Sequence, residues 1–290
     1  MKKFNLFSSA LIVLGVSGTA SAAWTDIDFN KPGNIDGAAY LGTFNYNGQT
    51  YGPSTALNVA GQASPTIESK FDLKQLKPFT FYGKDRDDST GHNDVVITAN
   101  TGSAQAEAPV VYRFYRQKHS AAIINLSRGT EARHFAKAVV GKQTAAGTLV
   151  NGTYNYKGVA FTHFPRGDFN YQVKVTGPSS ATGEGSFSLK GLKIPARQSY
   201  NGQDVYFDIN RGTLNSTALA ATSAGLRFEG SVTVAESGVS DTTAWKHIKG
   251  SESNPNYRLT LYGPKGAEIG GVIQGLPPRV GTAAIMGRKQ

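Results

Sequence analysis

The chain has 290 residues, no cysteine, 34 glycines and a formal net charge of +10. The absence of cysteine excludes disulfide bonds, thiolate metal sites and a thiol that could accept a lipid. The positive charge favours acidic partners, but the basic residues are spread along the chain instead of forming a stripe, so we expect no nucleic-acid binding.

The first 22 residues predict a cleavable signal peptide. Lys2 and Lys3 precede an apolar run from Leu6 to Val16, and Ala20-Ser21-Ala22 follows it. These are the cationic, apolar and small-residue regions of a secretory signal, and the run is shorter than the roughly 20 residues of a membrane helix. We therefore expect cleavage after Ala22 and export from the cytoplasm without a lipid anchor.

Residues 23–143 are predicted to form a small antiparallel β domain. Asn47-Gly48, between aromatic-rich segments, is a strong hairpin signal. Further strands are predicted over residues 79–82, 95–99, 110–116 and 121–126. The segment from Thr130 to Val140 contains good helix formers after a plausible cap, which predicts one short helix.

Residues 144–290 show evenly spaced strand patterns, and we place the domain boundary near residues 141–146. Eight strands are predicted, over 148–156, 169–175, 185–189, 205–209, 226–234, 257–262, 269–273 and 281–286. Short strands separated by regular turn signals are typical of a closed up-and-down barrel or a sandwich. The fold class is therefore mostly β.

The most specific motif lies near the C-terminus, at Tyr262-Gly263-Pro264-Lys265-Gly266-Ala267-Glu268-Ile269-Gly270-Gly271. Its Gly-Pro pair suits a turn, and its Gly-Gly pair lets a strand curve where a barrel closes. This segment resembles the last barrel hairpin of the bacterial transferrin-binding protein B and factor H-binding protein group. With one small β domain, one barrel and no lipid anchor, the whole chain is similar to the hemophilin family of secreted haem-binding proteins.

The resemblance implies both an architecture and a function. Residues 23–143 would bind haem b non-covalently, and residues 144–290 would form an eight-stranded antiparallel barrel that an outer-membrane secretion partner recognises. The chain would be a hemophore of a Gram-negative bacterium, secreted by way of the periplasm and expected to be a monomer. It would deliver haem to a TonB-dependent outer-membrane haem receptor.

Haem iron in such a protein is expected to be held by an axial histidine, because neutral imidazole is a good ligand and cysteine is absent. We choose His119, at the tip of a predicted hairpin between two apolar strands. Period-2 alternation places one set of side chains on the face leading to it: Val111, Arg113, Tyr115 and Gln117. The other predicted haem contacts are a ring for the porphyrin and cations for the propionates: Tyr115, Arg113, Arg116 and Lys118.

Other histidines remain open as ligands. His92 is the second choice, because it lies in a Gly-containing loop that can close over a ligand. His134 is expected at the surface of the predicted helix, and His163 and His247 belong to the barrel half. No C-x-x-C-H occurs, so covalent attachment is excluded. A histidine in a polar turn is also compatible with simple solvation.

No catalytic motif stands out in the sequence. The G-x-S-x-G, H-E-x-x-H and P-loop patterns are absent, and spacing singles out no pair of carboxylates. We therefore expect no enzymatic activity. The alternative function is that of a secreted adhesin or immune-evasion protein that binds a host protein through the same β architecture, and the C-terminal motif does not distinguish the two.

Overall fold

The structure is a computed structural model that describes residues 33–34, 42–46, 49–51, 70–71, 78–82, 96–99, 110–126, 134–162, 165–222, 225–249, 254–277 and 280–290. The predicted signal peptide, His92 and His163 lie outside these residues. The described part contains seventeen β-strands, one α-helix and short 3-10 helices at Ala196–Gln198 and Glu236–Gly238.

Nine short strands of the described part precede the barrel: β1 (Gly33–Asn34), β2 (Gly42–Tyr46), β3 (Gln49–Tyr51), β4 (Lys70–Phe71), β5 (Thr80–Tyr82), β6 (Val96–Ala99), β7 (Val110–Arg116), β8 (Ser120–Leu126) and β9 (His134–Gly141). β1 pairs with β4, and the others form an antiparallel sheet in the order β3-β2-β6-β7-β8-β9, with β5 paired to β7. Tyr46 pairs with Gln49 across the predicted Asn47-Gly48 turn, so this hairpin is confirmed.

The predicted helix from Thr130 to Val140 is wrong. Residues 134–141 form strand β9, which pairs antiparallel with β8. A helix this short is marginal in water on its own. Pairing with β8 instead satisfies the backbone of the segment and buries Val139 in an apolar cluster. Tertiary contacts therefore outweigh the helix propensity of its Ala and Lys residues.

The C-terminal half is a closed antiparallel barrel of eight strands, which confirms the barrel that the resemblance implies and excludes the sandwich that the strand pattern also allowed. The strands are β10 (Gly152–Phe161), β11 (Arg166–Gly177), β12 (Ser180–Ile194), β13 (Val205–Thr222), β14 (Gly225–Thr233), β15 (Asn256–Tyr262), β16 (Glu268–Gln274) and β17 (Ala283–Lys289). Each strand pairs with its neighbour in sequence, and β17 closes the barrel on β10.

Apolar side chains fill the inside of the barrel. Buried and exposed residues alternate along β11, as expected for a strand with one face inward and one in solvent. The interior includes Phe169, Phe187, Phe228, Leu259 and Ile285. An eight-stranded barrel is just wide enough for such side chains. Binding is therefore expected on the outer surface.

The structure contains one α-helix that was not predicted from the sequence, α1 (Thr242–Lys249). It begins after Asp241, whose Oδ1 accepts the backbone N–H of Ala244 at 2.9 Å. This is the bond of an N-cap residue. The helix buries Ala244, Trp245 and Ile248 against the barrel core. No helix in the described part of the chain is long and apolar enough to cross a membrane.

Candidate binding site at the junction of sheet and barrel

The N-terminal sheet packs on the outer face of the barrel. Side chains from β7, β8 and β9 meet side chains from β10, β15, β16 and β17 in one apolar cluster, which we call the junction cluster. Its buried members are Tyr115, Ala122, Ile124, Val139, Phe161, Tyr262, Val272, Ala284 and Met286. Phe81 and Val159 pack against it. Burying such side chains removes apolar area from water and holds the two halves together.

The two glycines that end the C-terminal motif allow close packing. A Cβ at Gly270 would lie 2.8 Å from Met286 Sδ and 3.2 Å from Val139 Cγ1, so β9 approaches the barrel here because no side chain intervenes. A Cβ at Gly271 would overlap the carbonyl oxygen of Arg258 on the paired strand β15. Gly270 thus allows β9 to pack closely on the barrel, and Gly271 allows β15 and β16 to pair closely within the barrel wall.

A buried carboxylate of the barrel holds the turn between β7 and β8. Glu268 is only 3% exposed. Its Oε1 accepts the N–H of Lys118 at 2.8 Å, and its Oε2 accepts the N–H of His119 at 3.0 Å and the hydroxyl of Ser120 at 2.7 Å. Hydrogen bonds to an ionised acceptor are strong, and together they compensate the burial of the charge.

Further hydrogen bonds attach the residues on both sides of the turn. Gln117 Nε2 donates to the carbonyl of Ile269 on β16 at 3.4 Å. The carbonyl of His119 accepts the N–H of Lys142 at 2.9 Å, and the carbonyl of Lys142 accepts the N–H of Gly263 at 2.7 Å. The turn is therefore fixed by the C-terminal motif of the barrel.

His119 is half-buried in this turn, and its ring lies against Gly263. A Cβ at Gly263 would be 2.6 Å from His119 Cδ2, and this glycine has a φ of +74°, so the position suits glycine for two reasons. Neither ring nitrogen of His119 forms a hydrogen bond with another residue of the described part; only its backbone is engaged. The backbone of the turn and the contact with Gly263 therefore fix where the imidazole lies, while its two nitrogens can still bind a ligand.

Arg113 and Tyr115 lie inside the junction, not on an open surface. Arg113 Nη1 donates to the carbonyl of Thr162 at 3.3 Å, and its guanidinium carbon lies 4.6 Å from the ring centroid of Phe81. Tyr115 packs 4.7 Å from the same ring. Burial raises the pKa of Tyr115, and the charge of Arg288 partly opposes this shift. Both side chains hold β7 against the barrel.

Lys118 and Arg116 lie closer to solvent. The side chain of Lys118 is exposed and that of Arg116 is half-buried. The carbonyl of Arg116 accepts the N–H of Phe79 at 2.6 Å. Phe79 is 45% exposed, has a φ of 61° and carries the Arg288 guanidinium 5.0 Å above its ring. No sequence signal marks Phe79, because an aromatic residue beside a strand is usually an ordinary packing residue.

Of the two remaining described histidines, His247 fits an axial ligand less well because its ring is already engaged. His134 begins β9. His247 lies on α1, and its Nε2 is 2.8 Å from the carbonyl of Gln198. Among the described residues, no three His, Asp or Glu side chains group as a metal site. Haem iron needs only one axial imidazole from the protein, and the unengaged ring of His119 fits that need.

The chain matches no known protein-family model, and no curated protein matches it significantly. The hemophilin resemblance therefore remains a prediction.

Proposed function

We propose that this chain is a secreted hemophore that binds haem non-covalently through His119 and delivers it to an outer-membrane haem receptor. The observation that supports this best is the state of His119. Glu268 holds the backbone of its turn, while both ring nitrogens are without partners in the described part. A ligand that is already positioned and not hydrogen-bonded loses little on binding iron.

The neighbouring residues have separate roles in this proposal. Bound haem supplies an iron with a coordination position for the imidazole and two negative propionates. Lys118, exposed beside the ligand, and Arg116 provide positive charge for the propionates. Arg113 and Tyr115, buried in the junction, position β7 and therefore the turn that follows it.

Release follows from the same arrangement. Only one coordination bond to the protein has to be exchanged when a TonB-dependent receptor takes the haem. The barrel would serve export, as the part of the chain that an outer-membrane secretion partner recognises. The protein binds and transfers its ligand without changing it chemically.

Haem titration of the purified mature chain tests the proposal. The wild type should develop a Soret band, and His119→Ala should weaken or shift it. His247→Ala is the matched control, because it removes an imidazole whose Nε2 is already hydrogen-bonded to Gln198. The band of the control should equal that of the wild type.

The other outcomes of the titration are also informative. Loss of the band in His92→Ala, with His119→Ala unchanged, would assign the ligand to the other predicted loop and reject His119. No absorbance change in the wild type would reject haem binding altogether.

In that case the adhesin or immune-evasion alternative would stand. Tyr200 and Tyr206, in and just after the connection from β12 to β13, are 45% and 56% exposed. Exposed tyrosines are enriched where proteins bind one another.

A further inference from the structure

A polar groove of about 480 Å³ runs across the outer face of β10, β11, β12 and β13. It shares no residue with the junction cluster. Its charged and amide-bearing lining residues come from four adjacent strands: Asn155, Lys157, Asn170, Gln172, Glu184, Arg211 and Asn215. Four strands spaced by about 4.8 Å make a surface roughly 14 Å across. That width accommodates a ligand larger than a single ion.

Two irregularities in β13 border the groove. Between the pairs Gly183–Thr217 and Gly185–Leu214, β13 advances three residues where β12 advances two. The same happens between the pairs that contain Phe187 and Leu189. Each is a β-bulge, and bulges bend a strand and redirect its side chains. The extra residues include Asn215 and Arg211, and both line the groove.

The bulge at Asn215 is supported from inside the barrel. The hydroxyl of Tyr257 donates to the carbonyl of Asn215 at 2.7 Å, and the hydroxyls of Tyr257 and Tyr171 lie 3.1 Å apart. A bulge interrupts the ladder of backbone hydrogen bonds and can leave a carbonyl without its partner in the neighbouring strand. Here the hydroxyl of Tyr257 supplies a hydrogen bond to the carbonyl of Asn215. Core tyrosines of the barrel therefore fix the bulge that places Asn215 in the groove.

The charges of the groove are available to a ligand. Lys157, Glu184 and Arg211 are exposed, and none of them forms an ion pair with another residue of the described part. Asn155 and Gln172 are hydrogen-bonded to each other at 3.1 Å, which orients two amides along one wall. Ser186, Thr213 and Ser216 add hydroxyl groups to the lining.

We propose that this groove binds an acidic oligosaccharide. Lys157 and Arg211 meet its carboxylate or sulfate groups, and the amides and hydroxyls of the walls bond its hydroxyl groups. An extended peptide is disfavoured, because peptides that bind sheets pair with a free strand edge and a closed barrel has none. The proposal does not depend on haem binding.

Titration of the mature chain with acidic and neutral saccharides tests the groove. The probes are 3′-sialyllactose for a carboxylate, a heparin-derived hexasaccharide for sulfates, and lactose as the neutral probe. The wild type should bind at least one acidic probe and not lactose, and the better acidic probe identifies the acidic group. Lys157→Ala combined with Arg211→Ala should weaken binding about tenfold or more.

The control separates a site from general attraction to a basic protein. Lys174→Ala removes one exposed charge from the outer face of β11, outside the groove. Lys174→Ala should leave the affinity for the acidic probe unchanged. Lys157→Ala alone also removes one positive charge, but from inside the groove, and should weaken binding. Equal effects of Lys157→Ala and Lys174→Ala, equal binding of lactose, or no binding of either acidic probe would each overturn the proposal.

Discussion

Glu268 fixes the position of His119, the proposed ligand of haem iron, because it binds the backbone of the turn that carries His119. Replacing it by Gln exchanges one acceptor oxygen for an NH₂ group that faces N–H and O–H donors. We expect Glu268→Gln to lower the free energy of unfolding by about 2 kcal/mol, measured by chemical denaturation. Glu229→Gln breaks an exposed ion pair with Arg258 and should change it by less than about 1 kcal/mol. Equal effects would show that the buried carboxylate does not hold the turn.

The sequence predicts the place of His119 but not its surroundings. The hairpin tip between two strands is confirmed, since β7 ends at Arg116 and β8 begins at Ser120. Alternation also correctly places Arg113 and Tyr115 on one face. What that face meets is unpredictable from local pattern, because its partner Glu268 is 150 residues away from Lys118 in the chain. A carboxylate at the start of a strand is usually solvated, so no signal marked Glu268 as buried.

At the scale of elements, the Gly-Gly pair of β16 gives a matched pair of substitutions. The Cβ of Gly271→Ala would overlap backbone of β15, which moves only if the barrel wall moves. The Cβ of Gly270→Ala would press on the flexible side chain of Met286. We expect Gly271→Ala to destabilise the protein by about 3 kcal/mol or to prevent folding, and Gly270→Ala to cost about 1 kcal/mol. Thermal and chemical unfolding measure both, and the opposite order would contradict the role assigned to each glycine.

The elements themselves are predictable where strand patterns repeat and less so where a short segment depends on its neighbours. All eight barrel strands follow from alternation and turn residues, although β13 (Val205–Thr222) extends well beyond the predicted 205–209 because bulges disturb its pattern. Helix α1 has only eight residues. Its signals, a capping Asp241 and buried residues at helical spacing, are too few to stand out from a loop.

At the scale of the whole molecule, the sheet and the barrel form one packed unit through the junction cluster. The last barrel hairpin supplies Tyr262 and Glu268 to this contact. The motif that suggested a role in export therefore also positions the proposed haem ligand. A change in this hairpin is expected to affect both stability and haem binding, whereas a change in the groove is expected to affect neither.

Buried tyrosines should make the molecule sensitive to alkaline pH. Burial raises the pKa of Tyr156, Tyr171 and Tyr257 above the usual value near 10. The unfolded chain releases these protons above about pH 10 and the folded chain keeps them, so the free energy of unfolding falls as pH rises. The slope is about 1.4 kcal/mol per pH unit for each such tyrosine.

Denaturation curves at pH 8, 10 and 11 measure this slope. Tyr171→Phe loses its hydroxyl contact with Tyr257 and should be less stable than the wild type at pH 8 by about 1 kcal/mol. Its stability should nevertheless fall less steeply above pH 10, because one phenol no longer titrates on unfolding. Phe228→Leu alters the same core without removing a phenol and should lower stability equally at every pH. Parallel curves for Tyr171→Phe and the wild type would show that Tyr171 ionises as readily in the folded barrel as in the unfolded chain.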